Sequence, residues 1–338
     1  MSPAETHFQP FLSSLPVLVL FPHSRCDCRC LMCDIWKDKE AREISREELA
    51  RHVTTIRDLQ VRWVVFSGGE PLLHSDLFRL SDLLRELGIR VTLLSTGLLL
   101  KDHARNVAER TDDAILSLDG PEEIHDRIRR VQGAFAHLTQ GMVAVRRHRP
   151  AFSFACRTTV QRANFRFLRQ TVAAARETGF DSISFLAADV TSTAFNRPGG
   201  WNEIRQNQIA LSVEEIPALE EEIESLIREW ETELTTGFIR EGAEKLRRIV
   251  LHFRAHLGDA DAVSPKCNAP WVSAVIESDG SVRPCFFHKI LGNIRDKTLI
   301  EVLNSEDAVA FRRGLDIPTN PICRHCVCSL HLPEEVVA

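Results

Sequence analysis

LPVLVLFPHSRCDCRCLMC, residues Leu15–Cys33, joins an apolar run directly to a loop in which four cysteines fall within eight positions. The run Leu15–Phe21 is far too short to cross a bilayer, and its valines, leucines and phenylalanine read as a buried first strand. A cysteine-rich loop at the end of a buried strand is a place where a fold can hold a metal. The rest of the chain decides which fold that is.

Outward from this stretch, short β-rich runs alternate with amphipathic segments. Strands are expected at Val17–Phe21, Val61–Phe66, Arg90–Leu94, Ala114–Leu118, Phe152–Val160 and Ser182–Leu186. Helices are expected between them, at Arg46–Leu59, Ser75–Leu87, Lys101–Glu109, Phe135–Arg147 and Phe165–Gly179. Six such repeats predict an α/β fold of parallel strands with helices outside, a barrel or part of one. In such folds the chemistry gathers at the C-terminal strand ends, which is where the cysteine loop falls. The pattern stops after Leu186. A loop of little periodicity, Ala187–Gln208, leads into an acidic helical stretch, Val213–Leu234, whose apolar stripe reads as ordinary packing. A second helix is expected near Arg240–His256, and a cysteine-bearing region begins at Ser264.

The chain has 338 residues, 44% hydrophobic and 26% charged, as in a soluble globular protein with a sizeable core. A net charge of −5 argues against a nucleic-acid binder, and the basic run Arg146–Arg149 reads as a solvated helix end. No signal-peptide pattern and no membrane span are visible, so the expected location is cytoplasmic. There, ten cysteines point to metal or redox chemistry rather than to disulfides. The chain has no tyrosine, which excludes a tyrosyl radical and a tyrosine general acid.

Within the opening loop, Cys26, Cys30 and Cys33 have the spacing C-x3-C-x2-C, and Cys28 breaks it. Three thiolates from one loop hold three irons of a cubane and leave the fourth iron open. Strand two runs directly into Ser67-Gly68-Gly69-Glu70-Pro71, where paired glycines allow close backbone approach. On these residues the chain resembles the radical SAM superfamily. That resemblance implies a partial (β/α)6 barrel and a 4Fe–4S cluster whose open iron is chelated by S-adenosylmethionine. It also implies reductive cleavage to a 5′-deoxyadenosyl radical, with flavodoxin or ferredoxin as reductant. By the same resemblance, Gly68, Gly69, Glu70 and Pro71 receive the cofactor's ammonium group. Met32 stands where the family usually has an aromatic residue, and its thioether can pack on adenine. Ser95-Thr96-Gly97 matches a TNG-like turn, with the Asn missing. Ser117-Leu118-Asp119-Gly120, followed by His125-Asp126-Arg127 and Gly133, matches the family's SLDG stretch. Ser95, Ser117 and Asp119 are thus candidate cofactor contacts, although Asp119 could instead face the substrate. Arg157 is a candidate for the methionyl carboxylate or for an ion pair inside the barrel.

The C-terminal region reads Cys267-x12-Gly280-x4-Cys285, then Cys323-x2-Cys326-x-Cys328. The turn Ser278-Asp279-Gly280 between two apolar runs predicts a hairpin that sets its end cysteines side by side. Gly292–Ile294 and a helix near Leu299–Asn304 are expected to follow. This resembles the SPASM/twitch extension of radical SAM enzymes. Because the chain ends ten residues after Cys328, the shorter twitch version is expected. It implies one auxiliary 4Fe–4S cluster on Cys267, Cys285, Cys323 and Cys326, with Cys328 an alternative to Cys326. A zinc ribbon is the other reading of such paired cysteines. The expected domains are a leader at 1–15, the barrel at 16–189, a helical insert at 190–262, the auxiliary domain at 263–330 and a tail at 331–338.

The resemblance implies hydrogen abstraction from a substrate, with the auxiliary cluster exchanging an electron. Strand one starts near residue 16, which leaves no room for an N-terminal peptide-recognition domain. The expected substrate is therefore a small-molecule biosynthetic intermediate, with a ribosomally made peptide as the alternative. A non-catalytic metal-stabilised protein or electron carrier is the third reading. No catalytic acid or base is nominated: Asp189, His125, His288 and a stacking Trp201 each have a surface or core explanation.

Overall fold

The computed structural model describes residues 9–333, so residues 1–8 of the expected leader and 334–338 of the expected tail lie outside the described residues. Nine strands make one open sheet: β1 (Val17–Leu20), β2 (Trp63–Phe66), β3 (Arg90–Ser95), β4 (Asp113–Ser117), β5 (Ser153–Val160), β6 (Ser182–Ala187), β7 (Ser273–Ile276), β8 (Ser281–Arg283) and β9 (Gly292–Asn293). Their spatial order is β6-β5-β4-β3-β2-β1-β7-β8-β9. Strands β1 to β6 pair in parallel, giving a partial barrel. Each of the six expected strands is present to within two residues at either end.

Both faces of these strands are covered, which explains their near-continuous apolar sequence. Leu18, Leu20, Val64, Phe66, Val91, Leu93, Leu116, Phe154 and Ile183 point outward and are fully buried in the core. The alternate residues Val17, Val19, Trp63, Val65, Leu94, Ile115 and Arg157 line a cavity inside the barrel.

The C-terminal hairpin does not form a separate sheet. β7 pairs in parallel with the free edge of β1, from Val17–Ser273 to Leu20–Ile276, and β8 and β9 follow antiparallel. The auxiliary region is thereby built onto the strand that carries the cysteine loop.

Several helices depart from expectation. The single helix expected at Arg46–Leu59 is two, Arg46–Ala50 and Val53–Asp58, separated by a turn at Arg51–His52. The acidic stretch likewise breaks at Trp230, into Ile216–Glu229 and Glu231–Thr235, and buries Leu219, Ile223 and Leu226 as its stripe predicts. Helices not anticipated include Glu122–Arg129, Glu203–Ile209 and Glu306–Gly314. The last two carry a legible start signal, since Asn202 and Ser305 cap their N-termini with side-chain oxygens. Among the described residues, no helix is long and apolar enough to cross a membrane.

Candidate cluster and cofactor site

The cysteine loop leaves β1 and is tied down from three directions. Two main-chain bonds come from the end of helix Glu122–Arg129: Arg29 N–H donates to Arg129 O at 3.2 Å and Leu31 N–H to Ile128 O at 3.0 Å. The turn after β2 supplies the second tie, with Glu70 N–H donating to Arg25 O at 2.9 Å. Both glycines lie tight against neighbouring residues. A Cβ on Gly69 would lie 2.0 Å from Arg25 O, and Gly68 has φ +98° with its Cβ position 2.7 Å from the Phe21 ring. Gly69 thereby permits the close approach of the cysteine loop.

The third tie comes from the segment after β6. Arg197, 3% exposed, donates to Met32 O at 2.5 Å and to both Asp189 O and Asp189 Oδ2, at 2.8 and 2.9 Å. Its guanidinium lies 3.6 Å from the Trp201 ring centroid, and Trp201 Nε1 donates to Asp34 Oδ2 at 2.7 Å. Arg205 donates to Leu31 O. The stretch expected to be an irregular loop is thus a clamp on residues 31–34.

All ten cysteines are free thiols. Cys28 and Cys30 are buried, while Cys26 and Cys33 are half-buried. Burial, with Cys30 adding to it, raises the pKa of both Cys26 and Cys33. Burial pushes Cys33 up to about 11, whereas a hydrogen bond from Cys28, with help from Arg129, brings Cys30 down to about 7. Among the described residues, no three His, Cys, Asp or Glu side chains converge tightly enough for a single metal ion. Three thiols from one loop and a buried guanidinium whose Nε has no partner make a donor set that fits an anionic cluster.

Glu70 is fully buried and accepts from Leu72 N–H at 3.0 Å, Ser95 Oγ at 3.0 Å, Thr96 N–H at 2.7 Å and Thr96 Oγ1 at 2.9 Å. Burial, then the nearby Asp27 carboxylate, raises its pKa to about 7. The Ser95 hydroxyl also accepts from Gly97 N–H at 3.0 Å. These side chains bind the β2 and β3 turns together, and the buried Pro71 opens the short 3₁₀ turn Pro71–Leu73. Asp119, expected to meet cofactor or substrate, is fully buried and pairs with Arg129 at 2.6 Å. Ser117 is half-buried at the end of β4, and the half-buried Met32 packs against the core. Arg157 is exposed to the barrel lumen, where its Nε donates to Ser184 Oγ at 3.2 Å.

Cys267, Cys285, Cys323, Cys326 and Cys328 all line one cavity of about 230 Å³, together with Arg157 and the inward side chains of β1 and β2. His288 Nε2 lies 3.3 Å from Cys323 Sγ, and Cys326 Sγ donates to Cys328 O at 3.2 Å. Burial pushes Cys323 up to about 12 and Cys328 up to about 11. Cys326 and Cys328 lie on the same cavity wall as Cys267 and Cys285. A second cavity, of about 410 Å³, lies beside Gly68 and Gly69 and shares Phe286 with the first. Phe286 stacks between Phe21 and Phe195, with centroids at 5.9 and 6.5 Å.

Residues 20–160 match the family model of the radical SAM superfamily, and residues 267–327 match that of an iron–sulfur cluster-binding domain, SPASM. The chain belongs to the radical SAM superfamily. This radical SAM enzyme has S-adenosylmethionine and iron–sulfur clusters as its cofactors. It is 24% identical to an AdoMet-dependent heme synthase of Methanosarcina barkeri, over 86% of this chain and 82% of that one. It is 28% identical to a PqqA peptide cyclase of Ruegeria pomeroyi, over 89% of this chain and 77% of that one. Three other curated relatives are matched over only 33%, 38% and 39% of their length. Among solved structures, native anSMEcpe with bound AdoMet superposes with a TM-score of 0.67 at 21% identity, covering 91% of this chain and 88% of that one. Enzyme membership removes the reading of a non-catalytic metal-stabilised protein or electron carrier.

The residues considered as acids or bases of this radical SAM enzyme have other partners. His125 is fully buried, its Nδ1 accepting from Asp119 N–H at 3.2 Å. Asp189 is held by Arg197 and Ser192, and Trp201 stacks on Arg197. Reasoning from sequence missed Arg129 and Arg197. Nothing in local spacing marks either, because each acts on a loop more than 90 residues away in sequence.

Proposed function

We propose that this radical SAM enzyme holds its S-adenosylmethionine-binding cluster on Cys26, Cys30 and Cys33 and an auxiliary 4Fe–4S cluster on Cys267, Cys285, Cys323 and Cys326, and acts on a small-molecule biosynthetic intermediate. The observation that supports this reading is the shared lumen. One cavity is walled by barrel side chains, Ser67 beside the Gly68-Gly69 turn among them, and by the five C-terminal cysteines, and Phe286 lines both it and the cavity at that turn. A substrate there would meet the cofactor on one side and the auxiliary thiolates on the other. Held by these residues, the cluster and S-adenosylmethionine would supply radical chemistry for hydrogen abstraction from a substrate. The chain supplies the rest. Val17, Val19, Val65, Leu94 and Ile115 give the lumen an apolar wall that excludes water, and Arg157 offers a fork of donors to a carboxylate on cofactor or substrate. The reductant is of the flavodoxin or ferredoxin type.

A peptide substrate is the second reading, favoured by the similarity to a peptide cyclase over most of both chains. Anaerobic incubation with deuterated candidates separates the two. Deuterium from a small molecule should appear in 5′-deoxyadenosine. Transfer only from a deuterated peptide would overturn the small-molecule reading.

A further inference from the structure

We infer that Arg129 is a positioning residue for the cysteine-loop cluster, acting as a fixed cation on the Cys30 leg that makes the cluster easier to reduce. The inference rests on Cys30 being a cluster ligand. Arg129 ends helix Glu122–Arg129, and its side chain is 8% exposed. One arm of the guanidinium, Nη1, donates to Cys30 Sγ at 3.5 Å, and the other, Nη2, pairs with Asp119 Oδ2 at 2.6 Å. The main chain at the same residue accepts from Arg29 N–H at 3.2 Å. Side chain and backbone therefore both grip the cysteine loop.

Stability alone explains this arrangement poorly. A buried Arg–Asp pair loses hydration on both partners and is often matched or bettered by apolar residues of similar volume. This pair is also incompletely satisfied, since Arg129 Nε has no hydrogen-bond partner and is buried. The charges around the loop supply a reason to keep it. Asp27, Glu70 and Asp119 all lie close to the cysteine loop and are at least half-buried. Three thiolates on a cubane add further negative charge, which grows by one when an electron enters. A cation touching one thiolate opposes that growth, and hydrogen bonds to cluster sulfurs and net charge both set the reduction potential. Asp119 holds the guanidinium in place through the ion pair, and its backbone is fixed in turn by the bond from Asp119 N–H to His125.

The test is an EPR-monitored redox titration of the reconstituted full-length protein, following the signal that changes when S-adenosylmethionine is added. Arg129→Gln removes the charge, Arg129→Met removes it with an apolar side chain suited to a buried site, and Arg129→Lys keeps it. The expected result is a midpoint shifted to more negative potential in the Gln and Met variants, with Lys near wild type and iron content unchanged in all of them. An unshifted midpoint in either neutral variant, or a Lys variant displaced as far as the neutral ones, would overturn the inference. A wild-type protein with no such signal would instead sink the assignment of Cys26, Cys30 and Cys33 as ligands.

Discussion

Gly69 is where the two halves of the site touch, and the touching atom is backbone. A methyl group there would sit 2.0 Å from Arg25 O, which no rotamer change relieves. Gly69→Ala should therefore destabilise the fold by roughly 1–3 kcal/mol, the usual range for overpacking, and lower iron retention in the same protein. Denaturant unfolding and iron analysis check both effects. At His125 the expectation concerns pH. Burial, with Arg129 adding to it, lowers its pKa to about 3 from an ordinary 6.5. The unfolded chain takes up a proton below that ordinary value while the folded chain does not, so stability is present above it and falls with falling pH. The loss should be about 2 kcal/mol by about pH 5, and His125→Gln should remove that share of the pH dependence. Legibility differed between these residues. The glycine pair was visible in sequence because it directly follows a strand. The contact of Gly69 with Arg25 was not, because that approach is a tertiary fact.

At the scale of elements, strands were legible and helix breaks were not. Six buried strands announce themselves as apolar runs, whereas the interruptions at Arg51–His52 and Trp230 involve residues that helices ordinarily accept. The clamp after β6 was also hidden, because it works through single long side chains rather than through periodicity. Arg197→Ala should leave Asp189, 7% exposed, without its cation, and should cost roughly 3 kcal/mol. Because Arg197 also holds the carbonyl of Met32, the same variant should lose about half of its iron, the share of one cubane in two. Retention of full iron with a normal unfolding curve would refute the clamp.

For the whole molecule, the sheet is continuous from β6 to β9, so the auxiliary region closes the free edge of β1 and one wall of the lumen. The hairpin was legible from Gly280 and its flanking runs, but its parallel docking on β1 was not, since register between distant strands leaves no local mark. A chain cut after residue 262 exposes the edge of β1, and it should aggregate rather than stay monodisperse by size-exclusion chromatography. The central claim is that three cysteines of the opening loop and four of the C-terminal region hold two cubanes with separate duties. Anaerobic reconstitution with iron and sulfide, followed by dithionite and S-adenosylmethionine, addresses it most directly. The account predicts about eight irons per chain, 5′-deoxyadenosine from the wild type, none from Cys30→Ala, and residual uncoupled cleavage from Cys285→Ala. Stoichiometric zinc with no 5′-deoxyadenosine would contradict it.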